Sequence, residues 1–281
     1  MKSYLISSTK KSSGKTIIAT GISSILSRTD SLAVFKKGPD YIDPYWLSLA
    51  SKVNCYNLDF FTMSNSEIKK LYKQMSYEKN ISIIEGNKGL FDGISLDGGD
   101  SNASLAHLLK LEVILVIDCV GMTRGVAPLL KGYQEFDKKI KYKGIILNNI
   151  ANDRHENKVI NAINEFTKLK VIGSIHKNKQ LTIMEKKLGL EPVFQNPYTK
   201  NIIKNISSVI KKSVDMKYLI NKKTNNKDNK IPKVVLKKHI YSNLRIGVAF
   251  DSAFGFYYPD DINEFKRLGA KIIYFDTLKD K

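Results

Sequence analysis

Cysteine is nearly absent: two in 281 residues, Cys55 and Cys119. Two thiols without CxxC spacing build neither a disulfide framework nor a metal knuckle, and both lie beside apolar runs, as ordinary core cysteines do. Long hydrophobic runs are missing as well. No stretch approaches the roughly 18–20 apolar residues that span a bilayer. The opening Met1-Lys2-Ser3-Tyr4-Leu5-Ile6 turns polar too soon for a signal peptide and reads as a first buried strand. These absences point to a cytoplasmic protein with no membrane partner. Acidic residues are few, 27 against 46 lysines and arginines, for a formal net charge of +19. Arginine contributes little to that excess, which is nearly all lysine and is densest, interleaved with asparagine, between Lys200 and Lys238. Base and phosphate recognition favours arginine forks with interleaved aromatics, which that stretch lacks, so no nucleic-acid partner is expected. A positive field of this size raises the encounter rate with a polyanionic substrate instead.

What is present suits a soluble chain with a sizeable core: 42% hydrophobic and 26% charged residues. The first two hundred residues alternate β-branched runs with amphipathic stretches, the pattern of a parallel sheet covered by helices. Strands are expected at 3–8, 31–35, 81–85, 113–118, 143–148 and 170–175, helices at 15–27, 64–75, 103–111, 124–136 and 156–169. A last helix is expected over 201–219. Beyond it, 221–243 is polar and aperiodic and reads as a Lys/Asn-rich linker. A strand at 244–250, a helix around 260–268 and a strand at 271–275 then open a second unit. The stretch 244–281 is shorter than a chain that usually forms its own core. It is therefore expected to be incomplete.

The strongest local signal is Thr9-Lys10-Lys11-Ser12-Ser13-Gly14-Lys15-Thr16, between the first strand and the first helix. A phosphate loop needs a tight turn, backbone amides facing phosphate, a lysine on the β and γ phosphates and a hydroxyl for Mg²⁺. Ser12, Ser13, Gly14, Lys15 and Thr16 supply these at a helix N-terminus, whose dipole favours anions. The first glycine of the general pattern is replaced by Thr9. The expected fold is α/β: a P-loop NTPase-type, mostly parallel sheet with helices on both faces, over 1–220, followed by the start of a second α/β domain.

Two acidic loops share the sheet edge of the phosphate loop. The second strand leads into Lys36-Lys37-Gly38-Pro39-Asp40-Tyr41-Ile42-Asp43-Pro44, and the third into Glu85-Gly86-Asn87-Lys88-Gly89-Leu90-Phe91-Asp92-Gly93. In open parallel sheets ligands bind at the carboxyl ends of the strands. Glu85, closing an apolar strand, stands where a carboxylate supporting Mg²⁺ belongs, and Asp40 offers a second. One such Asp is more simply a turn or cap residue. Four carboxylates on two loops beside a phosphate loop are better read as a site. Lys36 and Lys37 are candidates to meet substrate carboxylates.

These residues resemble the cobyrinic acid a,c-diamide synthase family, among the dethiobiotin-synthetase-like P-loop enzymes. The resemblance rests on 37–44 and 85–93 as quoted and continues, in family order, through Asn57-Leu58-Asp59, Val116-Ile117-Asp118, Gly144-Ile145-Ile146-Leu147-Asn148, Arg154-His155, Leu188-Gly189-Leu190 and Phe254-Gly255-Phe256-Tyr257-Tyr258-Pro259. It implies that ATP phosphorylates a peripheral carboxylate of a corrinoid tetrapyrrole and that ammonia, from glutamine or free, displaces phosphate to give the amide. It also implies a catalytic set of Lys15, Asp40, Glu85 and Asp92, with Thr16, Asp40 and Glu85 holding Mg²⁺. Tyr41, Ile42, Asp43 and Asp92 match substrate-side positions, and Asn148 would read the nucleotide base. Many members pair their active sites across a homodimer. The family carries glycine where this chain has Ser8 and Ser12, threonine at Asn102, and Arg-His at 186–187. It takes ammonia from a class I glutaminase domain, whose start 244–281 matches, and neither cysteine of this chain lies there. No glutaminase activity is therefore expected of it. Ni-sirohydrochlorin a,c-diamide synthase shares these motifs. A ParA/MinD-like nucleotide switch has no use for the 38–44 and 254–259 segments.

Overall fold

The computed structural model describes residues 1–178, 181, 185–186, 189–193, 196–220, 241 and 243–280. Nearly all of the expected linker lies outside these residues, as do Leu188 and position 187 of the resemblance. β1 (Lys2–Ser8), β2 (Leu32–Lys37), β3 (Cys55–Leu58), β4 (Ile81–Glu85), β5 (Glu112–Asp118), β6 (Lys141–Ile150) and β7 (Val171–His176) form one sheet. Its order is β3-β2-β4-β1-β5-β6-β7, and each neighbouring pair runs parallel. The strands are apolar on consecutive positions because both faces are covered. In β1, Tyr4 and Ile6 enter one core cluster and Leu5 the other; in β5, Ile114 and Val116 oppose Val113, Leu115 and Ile117. The first cluster lies under α1 (Lys15–Leu26), α2 (Asp43–Ser51), α7 (Thr199–Ser213) and α8 (Met216–Ile220). The second lies under α3 (Asn65–Met75), α4 (Asn102–Leu109), α5 (Val126–Phe136) and α6 (Asp153–Phe166). Helices on both faces of a parallel sheet are the expected architecture.

Three elements differ from the expectation. β3 is only four residues of mixed polarity, too short to carry a period. α2 opens with Asp43-Pro44, where proline reads as a turn although its fixed φ suits a first helical turn. The helix expected over 201–219 breaks at Val214, which turns extended and pairs with Gly173 of edge strand β7. A short antiparallel pair, β8 (Glu185–Lys186) and β9 (Gly189–Leu190), follows β7. β10 (Arg245–Ala249), α9 (Pro259–Arg267) and β11 (Lys271–Phe275) make a separate parallel β-α-β piece, close to where the sequence places it. No helix among the described residues is long and apolar enough to cross a membrane.

The chain crosses from one side of β1 to the other between β4 and β5. The carboxyl ends of β1, β2, β4, β5 and β6 therefore converge on one edge. This switch point is where parallel sheets bind ligands.

Candidate active site

Between β1 and α1 the backbone turns at Ser12, with φ 58°, and at Gly14, with φ 90°. That left-handed conformation costs a serine roughly 1–2 kcal/mol and a glycine little, which explains why glycine is the usual choice where this chain has Ser12. Gly14 caps α1 without a side-chain acceptor, so the first amides of the helix remain available to an anion. A Cβ on Gly14 would lie 2.3 Å from Asn148 Nδ2. That same Nδ2 donates to the Ser13 carbonyl at 3.0 Å, so Asn148 braces the loop backbone from the end of β6. Ser13 and Ser8 hydroxyls both donate to the Lys10 carbonyl, at 2.8 and 2.6 Å, and Lys10 Nζ pairs with Asp118 at 2.9 Å. Lys15 is buried, and its ammonium donates to Ser8 Oγ at 3.0 Å. Burial brings it down to about 8, with nearby Glu85 opposing the shift. A cation so weakly compensated by its own protein is suited to accept phosphate.

The carboxylates meet the loop at Thr16. Glu85 ends β4 fully buried; its Oε1 accepts from Thr16 Oγ1 at 2.5 Å and lies 3.1 Å from Lys36 Nζ. Its other oxygen is buried without a hydrogen-bond partner. Asp43 Oδ2 lies 3.2 Å from Thr16 Oγ1 and 2.6 Å from Lys36 Nζ. Asp40 turns one oxygen to the amides of Ile42 and Asp43, at 2.9 and 3.0 Å, and keeps the other 3.8 Å from Lys36. Lys36 thus sits amid three carboxylates while almost wholly buried. Burial alone would lower its pKa, but Asp43, Glu85 and Asp40 together hold it above the ordinary lysine value. Burial raises Glu85 to about 7 against the pull of Lys36, and raises Asp40. Burial pushes Asp43 the same way, yet Lys36 and its hydrogen bonds bring it below the ordinary value.

The placement of the expected residues is uneven. Lys15, Thr16, Glu85 and Asp43 are brought together directly, and Asp40 stands behind them as the turn-former of α2. Asp43, expected on the substrate side, has its carboxylate on Thr16. Lys36, a candidate for substrate carboxylates, is engaged by the protein's own. Ile42 packs partly buried against the core, and Tyr41 is exposed. Asp92 accepts from the Gly89 amide at 2.9 Å and acts electrostatically on Lys15. Oxygen donors with one buried orphan among them fit a hard divalent cation. The carboxylates around Lys36 show that the site already draws positive charge.

Asn102 was legible only as a departure from the family pattern. It is fully buried at the start of α4. Its Nδ2 reaches Ser7 Oγ at 3.1 Å, the Gly89 carbonyl at 2.8 Å and the Asn87 carbonyl, while its Oδ1 accepts from the Asn87 amide at 3.2 Å. A Cβ on Gly86 would lie 2.7 Å from that Oδ1. One side chain thereby fastens the loop between Glu85 and Asp92 to β1. Replacing Asn102 by Ala strands several buried groups, at about 1–3 kcal/mol each where water cannot reach. Urea unfolding is expected to show a loss of about 2–4 kcal/mol; a loss below about 0.5 kcal/mol would mean that the loop holds itself.

A second cluster lies farther along the same edge, at the carboxyl ends of β6 and β7. His176 Nε2 is 2.7 Å from Glu156 and 3.8 Å from Asp153, both in the first turn of α6, where acidic side chains suit the helix dipole.

The family model described as AAA domain matches residues 39–185. The cobyrinate a,c-diamide synthase of Magnetococcus marinus is 37% identical over 284 residues, covering 98% of this chain and 61% of that protein. Those of Picrophilus torridus and Methanococcus vannielii are 37% and 35% identical, each covering 100% of this chain and 64% of theirs. The chain therefore spans less than two thirds of the length of these curated relatives.

Proposed function

The chain belongs to the family described as AAA domain, whose model takes in residues 39–185 of its 281, and we propose that it performs the ATP-dependent amidation of the a and c carboxylates of cobyrinic acid. The observation that carries this reading is the Lys15-Thr16-Asp43-Lys36-Glu85 cluster. It joins a phosphate loop to a substrate-side loop whose next exposed residue is Tyr41. Similarity along the whole chain to cobyrinate a,c-diamide synthases supports the choice of substrate.

In this reading the phosphates lie on the α1 amides and Lys15. Thr16, Glu85 and Asp43, with Asp40 behind them, are the residues to hold Mg²⁺, which when bound neutralises charge on the β and γ phosphates. An oxygen of the substrate carboxylate attacks the γ-phosphorus in line, the bond to the β-phosphate oxygen breaks, and ADP leaves with the electron pair. Ammonia then adds to the acyl carbon. Phosphate departs with the bonding pair, and the nitrogen loses a proton to give the amide. Little covalent chemistry falls to the protein: Lys15 follows the charge on the transferring phosphoryl, while the loops at 40–43 and 85–92 set the angle of approach.

Residues 244–280 are, in the same proposal, the opening of the nitrogen-supplying unit. Burial lifts the thiol of Cys55 well above its ordinary value and that of Cys119 up to about 12. Neither can offer the thiolate that a cysteine glutaminase needs. Mass spectrometry of cobyrinic acid incubated with the protein, Mg-ATP and either ammonium or glutamine tests both points. A gain of two amides with ammonium is expected, and the glutamine arm reads whether 244–280 belongs to a unit that supplies nitrogen. Conversion of Ni-sirohydrochlorin alone would reassign the ring, and ATP loss with neither ring changed would remove the ligase reading.

A further inference from the structure

The substrate-side loop does not end in open water. Tyr41 stacks on Tyr258, with ring centroids 4.6 Å apart and planes 25° from parallel, and meets Phe256 edge-on at 6.2 Å. Behind them the Tyr45 hydroxyl donates to the Tyr257 carbonyl and accepts from the Tyr257 amide, both at 3.3 Å. Asn263 of α9 reaches the Tyr56 hydroxyl of β3 at 3.3 Å. The segment 254–259, carried by the β10–β11 piece, is thereby fixed against the loop that delivers Asp43 to Thr16.

The contact is closed at its base and open on top. The crevice between Asp40, Tyr41, Pro44, Tyr45, Tyr257 and Tyr258 measures only about 20 Å³, too small for anything beyond a water-sized molecule. Above it, Tyr41 is 42% and Phe256 43% exposed. Gluing two pieces together asks for rings buried at their contact, not rings left half in water. Clustered, rigid, half-exposed rings beside a phosphate-transfer centre suit a flat conjugated ligand, whose faces and edges offer the offset and edge-on contacts that aromatics prefer. A macrocycle resting there can present a peripheral carboxylate inward along the Tyr41–Asp43 backbone.

We infer that Tyr41, Phe256 and Tyr258 form the platform on which the tetrapyrrole rests, so that the acceptor site is built jointly by the seven-stranded sheet unit and the 254–259 segment. This rests on the proposed function and adds to it a binding role for residues outside the phosphate-loop unit. Phe256 and Tyr258 are positioning residues, acting on the ring and not on the reacting atoms.

The test is steady-state amidation by the full chain with ammonium, separating KM for cobyrinic acid from KM for ATP. Phe256→Ala removes an exposed ring, and Phe256→Leu keeps apolar bulk without the π face. Phe256→Ala is expected to raise KM for cobyrinic acid about tenfold, and Phe256→Leu at least threefold, the size of one lost aromatic contact. KM for ATP and the thermal midpoint should stay at wild-type values in both Phe256 variants. Unchanged corrinoid KM in both Phe256 variants would overturn the inference. So would a parallel rise in both KM values with a lowered midpoint, the mark of a purely structural contact. A wild-type protein that converts no tetrapyrrole would remove the proposed function and this inference together.

Discussion

Replacing Lys36 by Met is expected to destabilise the fold by about 3–5 kcal/mol, the cost of removing one partner from a buried ionic cluster and leaving the others uncompensated. Lys36 touches Asp43 and Glu85 at 2.6 and 3.1 Å, and Glu85 is wholly shielded from water. The loss should depend on pH, with a sign that the cluster fixes. Glu85 has a folded pKa raised from 4.5 to about 7, so its contribution is fully present below 4.5 and fades as pH rises through about 7. Lys36 is what restrains that rise, and without it the carboxyl titrates higher still. Asp43 runs the other way: its depressed pKa contributes stability above its ordinary 3.8, and that contribution disappears when Lys36 is removed. The Glu85 change makes the deficit of the variant larger at pH 8 than at pH 5, whereas the Asp43 loss is already complete at both. Urea titrations of the two proteins at those pH values measure it. A deficit under about 1 kcal/mol at both, as for an exposed pair, would show that water screens the cluster.

The sequence shows the scaffold of this site more clearly than its wiring. Consecutive apolar positions in β1, β4 and β5 announce strands buried on both faces, and Gly14-Lys15-Thr16 marks the phosphate loop because glycine, lysine and hydroxyl there each answer a separate physical need. Both acidic loops are legible through their glycines and carboxylates. What the carboxylates do to one another is not. Asp40 and Asp43 are three residues apart in a proline-containing stretch, and only the unforeseen α2 turns Asp43 toward Thr16 while Asp40 folds back on the amides of the turn. Lys36 precedes a second lysine that is also buried, so nothing local marks it as the one that meets the carboxylates. Its neighbour Lys37 turns instead to Asn87, at 3.0 Å. The contact between Tyr41 and Tyr258 joins residues far apart in sequence, and no period or motif encodes such a pairing. Asn148 illustrates the remaining limit. Beyond the base-reading role expected of it, its amide holds the Ser13 carbonyl, a contact that no motif announces.

Lys15→Met should show the opposite phenotype to Lys36→Met, although both lysines are buried. The Lys15 ammonium donates to the Ser8 hydroxyl at 3.0 Å, and burial already works against its charge. An apolar side chain of similar length gives up one hydrogen bond and relieves that desolvation, so unfolding should change by no more than about 1 kcal/mol. Catalysis should fall steeply. Charge builds on the transferring phosphoryl group at the start of α1, where Lys15 places a buried cation, and removing one such stabilising group typically lowers kcat about 100- to 1000-fold. Binding of nucleotide should weaken much less, because the helix amides and the loop backbone remain. The pair of measurements is single-turnover ADP formation in the presence of corrinoid, and nucleotide affinity by calorimetry. Rate loss of that size with a folded, nucleotide-binding protein assigns Lys15 to the transition state. A rate within tenfold of wild type would move the burden to another cation, and Lys10, tied to Asp118 at the mouth of the same loop, is the next to replace.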